Sequence, residues 1–384
     1  MQRFAVWVVF FAFAGLAGAT DGFFRSSAFL TNAVRGEETV EQFGRELEKV
    51  SVFAYHITTE GDVLPASSWV PDALDRLMEN PGGRTILVTV NNRVITSDGK
   101  LAPFHSGETA LEVITDPETR AEHIRRLVAV GRTAHGLELN YENFPPEAKE
   151  PFTAFVRDLR LALPPEKKLS LVLQAKTDNL SGTRGRAVDW RAVEPWADYV
   201  RVMAYYFSFS TSPHGPVVPV ATLERLADYM LNDPEQGIPR HKASIILSLW
   251  GWDWPFPVGT PGTLVQFDEA MALARAHGAT PARDPVEKTL TFEYVDSGGV
   301  RHAVWIDDFE SIRHRIDRLH TFGMPRIEFW NLNTGDAPLW PYVASHTRAC
   351  GGPFRGTPLA EAIDFLDVTL FPPPEGGGPC SSLN

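Results

Sequence analysis

The alternation of short apolar runs with helical patterns constrains the fold of this chain more than any other feature. Eight runs rich in Val, Ile and aromatic residues recur along it, separated by segments with apolar residues three and four positions apart. Strands that alternate with helices form parallel sheets covered by helices. Eight such units favour an α/β fold, a closed (β/α)8 TIM barrel, over a doubly wound sheet, which usually carries a Gly-rich turn after its first strand. The runs are 26–30, 51–58, 85–92, 136–142, 169–176, 199–206, 243–250 and 326–332.

The interval between the seventh and eighth runs is longer than one helix requires. Residues 267–278 have a helical pattern, and residues 289–306 read as two strands around an Asp-Ser-Gly-Gly turn. We therefore expect a small α+β insertion at 252–306, after the seventh strand, that walls one side of the barrel mouth.

The first residues have the layout of a secretory signal. Arg3 precedes an apolar run at 4–16, and a small-residue cleavage pattern follows at 17–19. The run is shorter than the roughly 20 apolar residues of a transmembrane span, which is the alternative interpretation. A cleaved signal predicts a secreted or extracytoplasmic protein whose mature chain begins near Thr20. We expect three parts: a signal peptide at 1–19, the barrel domain at 20–345 and a C-terminal tail at 346–384.

The chain has two cysteines, Cys350 and Cys380, both near its C-terminal end. Export would permit a disulfide between them. The alternative is a pair of free thiols in the tail, because spacing alone does not show that they meet.

The charge balance narrows the classes of partner. Lys and Arg number 36 against 48 Asp and Glu, a formal net charge of −12, and no basic run is present. This disfavours nucleic acid and anionic membranes, and a neutral or sugar-like partner fits better. No other long apolar segment argues for stable membrane insertion, and we expect a monomer.

Neither a cofactor nor a metal is expected. The histidines lack ligand spacing such as H-E-x-x-H, so solvent-exposed or helix-capping positions are the simpler expectation. The absence of G-x-S-x-G also argues against an α/β-hydrolase. The histidines concerned are His56, His105, His214 and His302.

Polar and aromatic side chains follow the carboxyl ends of the predicted strands, where the working residues of such barrels lie. One carboxylic acid among amides, phenols and indoles suits a carbohydrate, because aromatic faces stack on sugars. Trp252 and Trp254 either extend this platform or belong to the core of the insertion. The candidate residues are Asn140, Glu142, Gln174, Met203, Tyr205, Tyr206, Trp250 and Trp330.

The fourth run, HGLELNYE, alternates polar and apolar residues. Since strand side chains alternate in direction, Glu138, Asn140 and Glu142 should share the barrel interior, while the apolar residues face the helices. A buried carboxylic acid tends to have a raised pKa, as an acid catalyst near neutral pH requires.

HGLELNYE also resembles the fourth-strand signature of glycoside hydrolase family 18, the chitinase family, D-x-x-D-x-D-x-E. VRVMAYYFSFSTSPHGPVVP and IEFWNLNTGD resemble that family's sixth-strand and eighth-strand segments, and HAVWIDDFESIRHRIDRL resembles the segment before its last helix. VSVFAYHITTEGDVLP and GLELNYENFPPEAKEPFTAFVRDLRLAL further resemble its spore-cortex and peptidoglycan-lytic branch. The similarity covers roughly residues 25–345 in collinear order.

The resemblance implies a substrate-assisted, retaining glycosidase, which departs from the usual pair of carboxylates. Glu142 would donate the proton, position 140 would orient the substrate's acetamido group, and Tyr205 would hold the acetamido oxygen. Trp330 would form the floor of the sugar site. Further substrate contacts are expected from Glu138, Gln174, Met203, Tyr206 and Trp250.

The chain departs from the family pattern where charge matters. The family's three signature aspartates are His135, Glu138 and Asn140 here, and its sixth-strand Asp is Tyr206. Asn140 carries no charge and exchanges no proton with Glu142. We therefore expect a secreted glycosidase acting on β-linked N-acetylglucosamine-containing glycans of the peptidoglycan or chitin type, with a weakened, lectin-like glycan-binding barrel as the alternative.

Overall fold

The computed structural model describes residues 24–31, 33–177 and 186–346, with the backbone alone at 33–37 and Arg45. The predicted signal peptide, both cysteines and all but the first residue of the predicted tail lie outside the described residues. In chain order the strands are β1 (Arg25–Leu30), β2 (Lys49–Thr58), β3 (Val63–Pro65), β4 (Thr85–Ile95), β5 (Leu101–His105), β6 (Gly136–Asn140), β7 (Lys168–Gln174), β8 (Tyr199–Met203), β9 (Ala243–Ser248), β10 (Gly251–Pro255), β11 (Thr263–Val265), β12 (Ala282–Arg283), β13 (Leu290–Val295), β14 (Arg301–Ile306) and β15 (Arg326–Trp330).

Eight of these strands form a closed parallel barrel. Its order is β1-β2-β4-β6-β7-β8-β9-β15, and β15 pairs in turn with β1. The predicted (β/α)8 architecture is confirmed, and the doubly wound alternative is excluded because the sheet closes on itself. Two short antiparallel strands extend the wall, β3 against β2 and β5 against β4.

Amphipathic helices cover the barrel. The segment Lys149–Ala162 shows why they form: Phe152, Phe155, Val156 and Leu159 are buried, a three-and-four spacing that gives one apolar stripe facing the sheet. No helix in the described part of the chain is long and apolar enough to cross a bilayer. The helices are α1 (Ala33–Phe43), α2 (Trp69–Glu79), α3 (Gly107–Thr115), α4 (Pro117–Gly131), α5 (Lys149–Ala162), α6 (Trp190–Val193), α7 (Val220–Asn232), α8 (Phe267–Ala276), α9 (Phe309–Thr321) and α10 (Leu339–His346), with single 3-10 turns at Gly44–Glu46, Pro146–Ala148 and Glu194–Trp196.

A second sheet follows the seventh barrel strand. It is antiparallel, with the order β11-β10-β14-β13-β12, and occupies almost the same interval that was predicted to be an insertion. Its own apolar cluster includes Val304 and Ile306 of β14 and Ala270 of α8, so the sheet packs against that helix.

The barrel interior contains a buried ionic network rather than only apolar layers. Arg201 of β8 is 0% exposed and donates hydrogen bonds to Glu138 of β6, Glu328 of β15 and the Ser51 hydroxyl of β2. The Nζ atom of buried Lys49 lies 3.4 Å from Oε1 of Glu328. Burial alone would raise the pKa of Glu328, but the charges of Arg201 and Lys49 outweigh it and hold that pKa below its ordinary value.

Replacing Arg201 with Met should destabilise the fold by about 3–5 kcal/mol, because it leaves two buried carboxylates without their shared cation. Unpaired buried carboxylates have raised pKa values, so the loss should shrink as the pH falls. Denaturant unfolding at several pH values measures both effects. Arg225→Met on the exposed side of α7 is the matched control, expected within about 0.5 kcal/mol of wild type. An equally small change at Arg201 would contradict the structural role of the network.

Candidate active site

Glu142 lies two residues beyond the end of β6 and is 8% exposed. Its backbone N–H donates to Oδ1 of Asn92 at 2.9 Å, and Nδ2 of Asn92 donates to its carbonyl oxygen at 2.8 Å. These two bonds fix the backbone of Glu142 to β4. The carboxyl group is therefore held at the carboxyl end of the barrel strands, where such folds bind substrate.

Asn140 lies beside Glu142 and is 2% exposed. Its Nδ2 donates to Oε1 of Glu142 at 3.2 Å. Its Oδ1 is buried and has no hydrogen-bond partner among the described residues. Position 140 thus has an acceptor without a protein partner in the described part of the chain, and its contact with an acetamido N–H group stays a prediction.

His105 approaches Glu142 from the end of β5. Its Nε2 lies 3.5 Å from Oε1 of Glu142, and its side chain is 19% exposed. Burial, with smaller contributions from the charges of Arg93 and His56, lowers the pKa of His105 to about 3. The imidazole is therefore neutral near neutral pH, and the contact with Glu142 is not an ion pair.

The expectation of solvent-exposed or helix-capping histidines is wrong for His105 and for His56. His56 is 4% exposed, and its Nδ1 lies 2.9 Å from Oδ1 of Asn91. Asn92, His56 and His105 were all missed as neighbours of the site. Asn92 and His56 lie near the carboxyl ends of two barrel strands, a signal that could have found them, whereas His105 reaches the site through a hairpin.

Three aromatic side chains that follow the ends of β8 and β9 contact one another near Glu142. The ring of Tyr205 lies 4.9 Å from that of Trp250 and 5.1 Å from that of Tyr206, between ring centroids. Burial, followed by the charge of Glu142, raises the pKa of Tyr205 well above its usual value and that of Tyr206 to about 12. Both phenols therefore keep their protons and remain hydrogen-bond donors next to Glu142.

Trp330 is the last residue of β15 and is partly buried. It packs against Phe29 at 4.9 Å and Phe53 at 4.8 Å between ring centroids, in the same apolar cluster as Met203 and Tyr205. Glu142, Tyr205 and Trp330 thus lie at the same end of the barrel.

Two residues proposed as substrate contacts have other partners. Glu138 is 0% exposed, and its oxygens accept hydrogen bonds from Thr89 at 2.9 Å, Ser170 at 2.8 Å and Arg201. These partners make Glu138 a charge of the buried network, and its contact with substrate stays a prediction. Gln174 accepts from the backbone N–H of Asn143 at 2.9 Å and supports the loop that follows Glu142.

The insertion borders the mouth through two tryptophans. Trp254 is 3% exposed and its Nε1 donates to the carbonyl oxygen of Phe209 at 3.0 Å. Trp252 and Trp254 both belong to the cluster that contains Tyr205 and Trp250, but the indole N–H groups of Trp250 and Trp252 have no partner in the described part of the chain. Trp254 is thus a core residue, whereas Trp252 offers a buried donor near the site.

Within the described ranges, no group of three or more His, Cys, Asp and Glu side chains is arranged to hold a metal ion. A model of the family described as glycosyl hydrolases family 18 matches residues 106–335. A provisionally named sporulation-specific glycosylase of Bacillus subtilis is 26% identical over 317 residues, which are 80% of this chain and 71% of that protein.

A cortical fragment-lytic enzyme of Bacillus anthracis is 26% identical over 200 residues, which are 51% of this chain and 46% of that enzyme. The chain thus spans about half the length of that relative. Two solved structures share the fold. The spore cortex-lytic enzyme SleL of Bacillus cereus has a TM-score of 0.73 at 20% identity over 85% of this chain and 74% of that one. A chitinase of Chromobacterium violaceum has a TM-score of 0.73 at 22% identity over 84% and 98%.

The state of His105 can be measured directly. Because its folded pKa of about 3 lies below the unfolded value of about 6.5, the unfolded chain takes up a proton between these pH values that the folded chain does not. The imidazole should therefore stay neutral from about pH 8 to pH 5, and His105 should reduce stability as the pH falls toward 3. NMR titration of the imidazole tests this, with His105→Gln to assign the signal. A midpoint near that of a free histidine would contradict the geometry described above.

Proposed function

We propose, because this chain belongs to glycosyl hydrolase family 18, that it hydrolyses β-linked N-acetylglucosamine-containing glycans of the peptidoglycan or chitin type. The names of its relatives, a cortical fragment-lytic enzyme and a chitinase among them, support this class of substrate. The observation that carries the proposal is the carboxyl group of Glu142, which accepts a hydrogen bond from the Asn140 amide and lies within electrostatic reach of two phenols at the mouth of the barrel.

In the proposed reaction Glu142 donates its proton to the glycosidic oxygen as the bond to C1 breaks. The acetamido oxygen of the substrate attacks C1 and forms an oxazolinium ion, so no second carboxylate is needed as the nucleophile. Water then attacks C1 as the bond from C1 to the acetamido oxygen breaks, and it gives a proton to the Glu142 carboxylate. This step restores the acid and the acetamido group, and the two inversions at C1 retain the configuration.

The neighbouring groups would position the acetamido group for this attack. Tyr205 has a protonated phenol that would donate to the acetamido oxygen, and the unpartnered Oδ1 of Asn140 would accept from the acetamido N–H. The Trp330 ring would support the sugar from below, as aromatic faces do in carbohydrate sites. Tyr206, Trp250 and Met203 would complete the wall.

A second candidate is a glycan-binding barrel with little turnover. Asn140 favours it, because an amide carries no charge to stabilise the oxazolinium ion. The binding surface would be the same, and only the chemical step would be lost.

The proposal extends to where the protein acts. The predicted signal at 1–19 would export it to meet an extracytoplasmic polysaccharide, and we propose that it acts as a monomer. No cofactor has a part in the proposed reaction.

Turnover of chito-oligosaccharides and of peptidoglycan fragments by wild type and by Glu142→Gln tests the function. We expect Glu142→Gln to lose about 10²–10⁴-fold in kcat while binding is kept, since only proton donation is removed. Glu147→Gln, an exposed carboxyl group five residues further on, is the matched control and should have wild-type activity. Turnover that is unaffected by Glu142→Gln would contradict the mechanism. Binding without any Glu142-dependent turnover would establish the lectin-like alternative.

Asn140→Asp should raise kcat on N-acetylated substrates by about 10-fold or more, because a carboxylate stabilises the developing positive charge. A neighbouring anion also raises the pKa of a carboxylic acid, so activity should persist to higher pH. Sugars without the 2-acetamido group should show little change. The pH–rate profiles of wild type and of Asn140→Asp test this prediction, and thermal melting is the control for folding. A stably folded Asp variant that is no faster at any pH would show that Asn140 is suited to a different substrate.

A further inference from the structure

The rim of the mouth next to Glu142 is a hairpin of β4 and β5 that rises above the barrel. Arg93 and His105 are directly paired across its two antiparallel strands. Side chains of directly opposed residues project from the same face. Since the His105 ring reaches to 3.5 Å from Glu142, the side chain of Arg93 projects on the face that borders the active site.

The contacts of Arg93 leave most of its guanidinium available. Its Nε donates to the carbonyl oxygen of Ala102 at 3.0 Å, which fixes the direction of the side chain. Within the described ranges it forms no ion pair with a carboxylate, and it is partly exposed. After burial, its charge is one of the causes that lower the pKa values of His105 and His56, so it lies within electrostatic reach of both.

A cation that borders an acid catalyst disfavours the protonated form that the catalyst needs. A nearby positive charge favours the ionised form of a carboxyl group, whereas Glu142 must be protonated to act as an acid. Of the other titratable groups that face this region, His56 and His105 have pKa values that burial lowers below the ordinary value, and Tyr205 and Tyr206 have pKa values that burial raises, so each favours its neutral form near pH 7. Of the two cations on this hairpin, Lys100 is paired with Asp98, whereas Arg93 has no carboxylate partner among the described residues. A ligand carboxylate would supply that partner.

We propose that Arg93 binds the carboxylate of an acidic N-acetylated sugar, and thereby selects glycans of the peptidoglycan type over neutral chitin. N-acetylmuramic acid supplies this group, since it is N-acetylglucosamine with a lactyl ether that ends in a carboxylate. The planar guanidinium matches a carboxylate in two parallel hydrogen bonds. The inference rests on the proposed function, because it assigns the sugar that the same site accepts.

The net charge of the whole chain favours a ligand with an isolated carboxylate over a polyanionic ligand. A net charge of −12 repels a densely charged polymer such as nucleic acid. A glycan in which acidic and neutral sugars alternate presents one carboxylate to one cation and otherwise meets neutral amides and aromatic rings.

Binding of two tetrasaccharides by the Glu142→Gln protein tests the inference without any need for turnover. One ligand is chitotetraose, and the other is a tetrasaccharide of alternating N-acetylglucosamine and N-acetylmuramic acid. Arg93→Gln should weaken binding of the muramic ligand by about 10- to 100-fold, the effect of losing hydrogen bonds to a charged group, and change chitotetraose binding less than about twofold. Arg93→Lys should keep part of the preference, because it retains the charge without the planar fork. The preference should also fall as salt is raised.

Arg225→Gln removes an exposed arginine from α7 and is the matched control for net charge. Equal weakening of both ligands by Arg93→Gln, or no weakening of either, would overturn the inference, as would a wild-type site that binds neither ligand. An Arg93-dependent preference without hydrolysis by wild type would contradict the proposed hydrolase activity alone. Hydrolysis of both glycans without an effect of Arg93 would contradict the inference alone.

Discussion

A single buried guanidinium connects four strands of this barrel. Arg201 bonds to acceptors on β2, β6 and β15 from its own position on β8, and its charge lies 4.3 Å from the centre of the Phe29 ring on β1. A buried charge is tolerated only when it is paired with opposite charges, and here the carboxylates of Glu138 and Glu328 pair with Arg201. The network therefore fixes the relative positions of strands that are far apart in the chain, and the strand ends that carry the site inherit that geometry.

Above this layer, the site is held by neutral hydrogen bonds. Asn92 fixes the backbone of Glu142, Gln174 supports the next residue, and Asn140 contacts the carboxyl group itself. Amides can donate and accept without adding charge, so they hold the carboxyl group in place without competing for its proton. The phenols of Tyr205 and Tyr206 have the same property because their pKa values are raised. The groups that hold and border the Glu142 carboxyl are thus mostly uncharged hydrogen-bonding groups.

The barrel could be predicted from the sequence because each strand and each helix is specified by a residue pattern within its own segment. Strand runs and helix stripes repeat along the chain, and their alternation specifies a covered parallel sheet. The candidate acid could be proposed because it ends a recognisable strand. The structural function of Glu138 could not be predicted, because its partner Arg201 is 63 residues away in the chain. The second carboxylate that binds Arg201, Glu328, is a further 127 residues along. The same limit applies to His105, which meets Glu142 only because a hairpin folds back over the mouth.

That hairpin lets the rim of the sugar site change separately from folding and proton transfer. The ionic layer and the strand ends determine whether the chain folds and whether it can transfer a proton. The hairpin carries Arg93 near the carboxyl end of β4 and His105 at the end of β5, a strand that is added to the barrel wall and is not one of its eight strands. Substitutions there can alter the rim of the site while the buried network stays intact. Proteins with this architecture can therefore change their glycan specificity through a few positions on the rim, with only a small loss of folding stability.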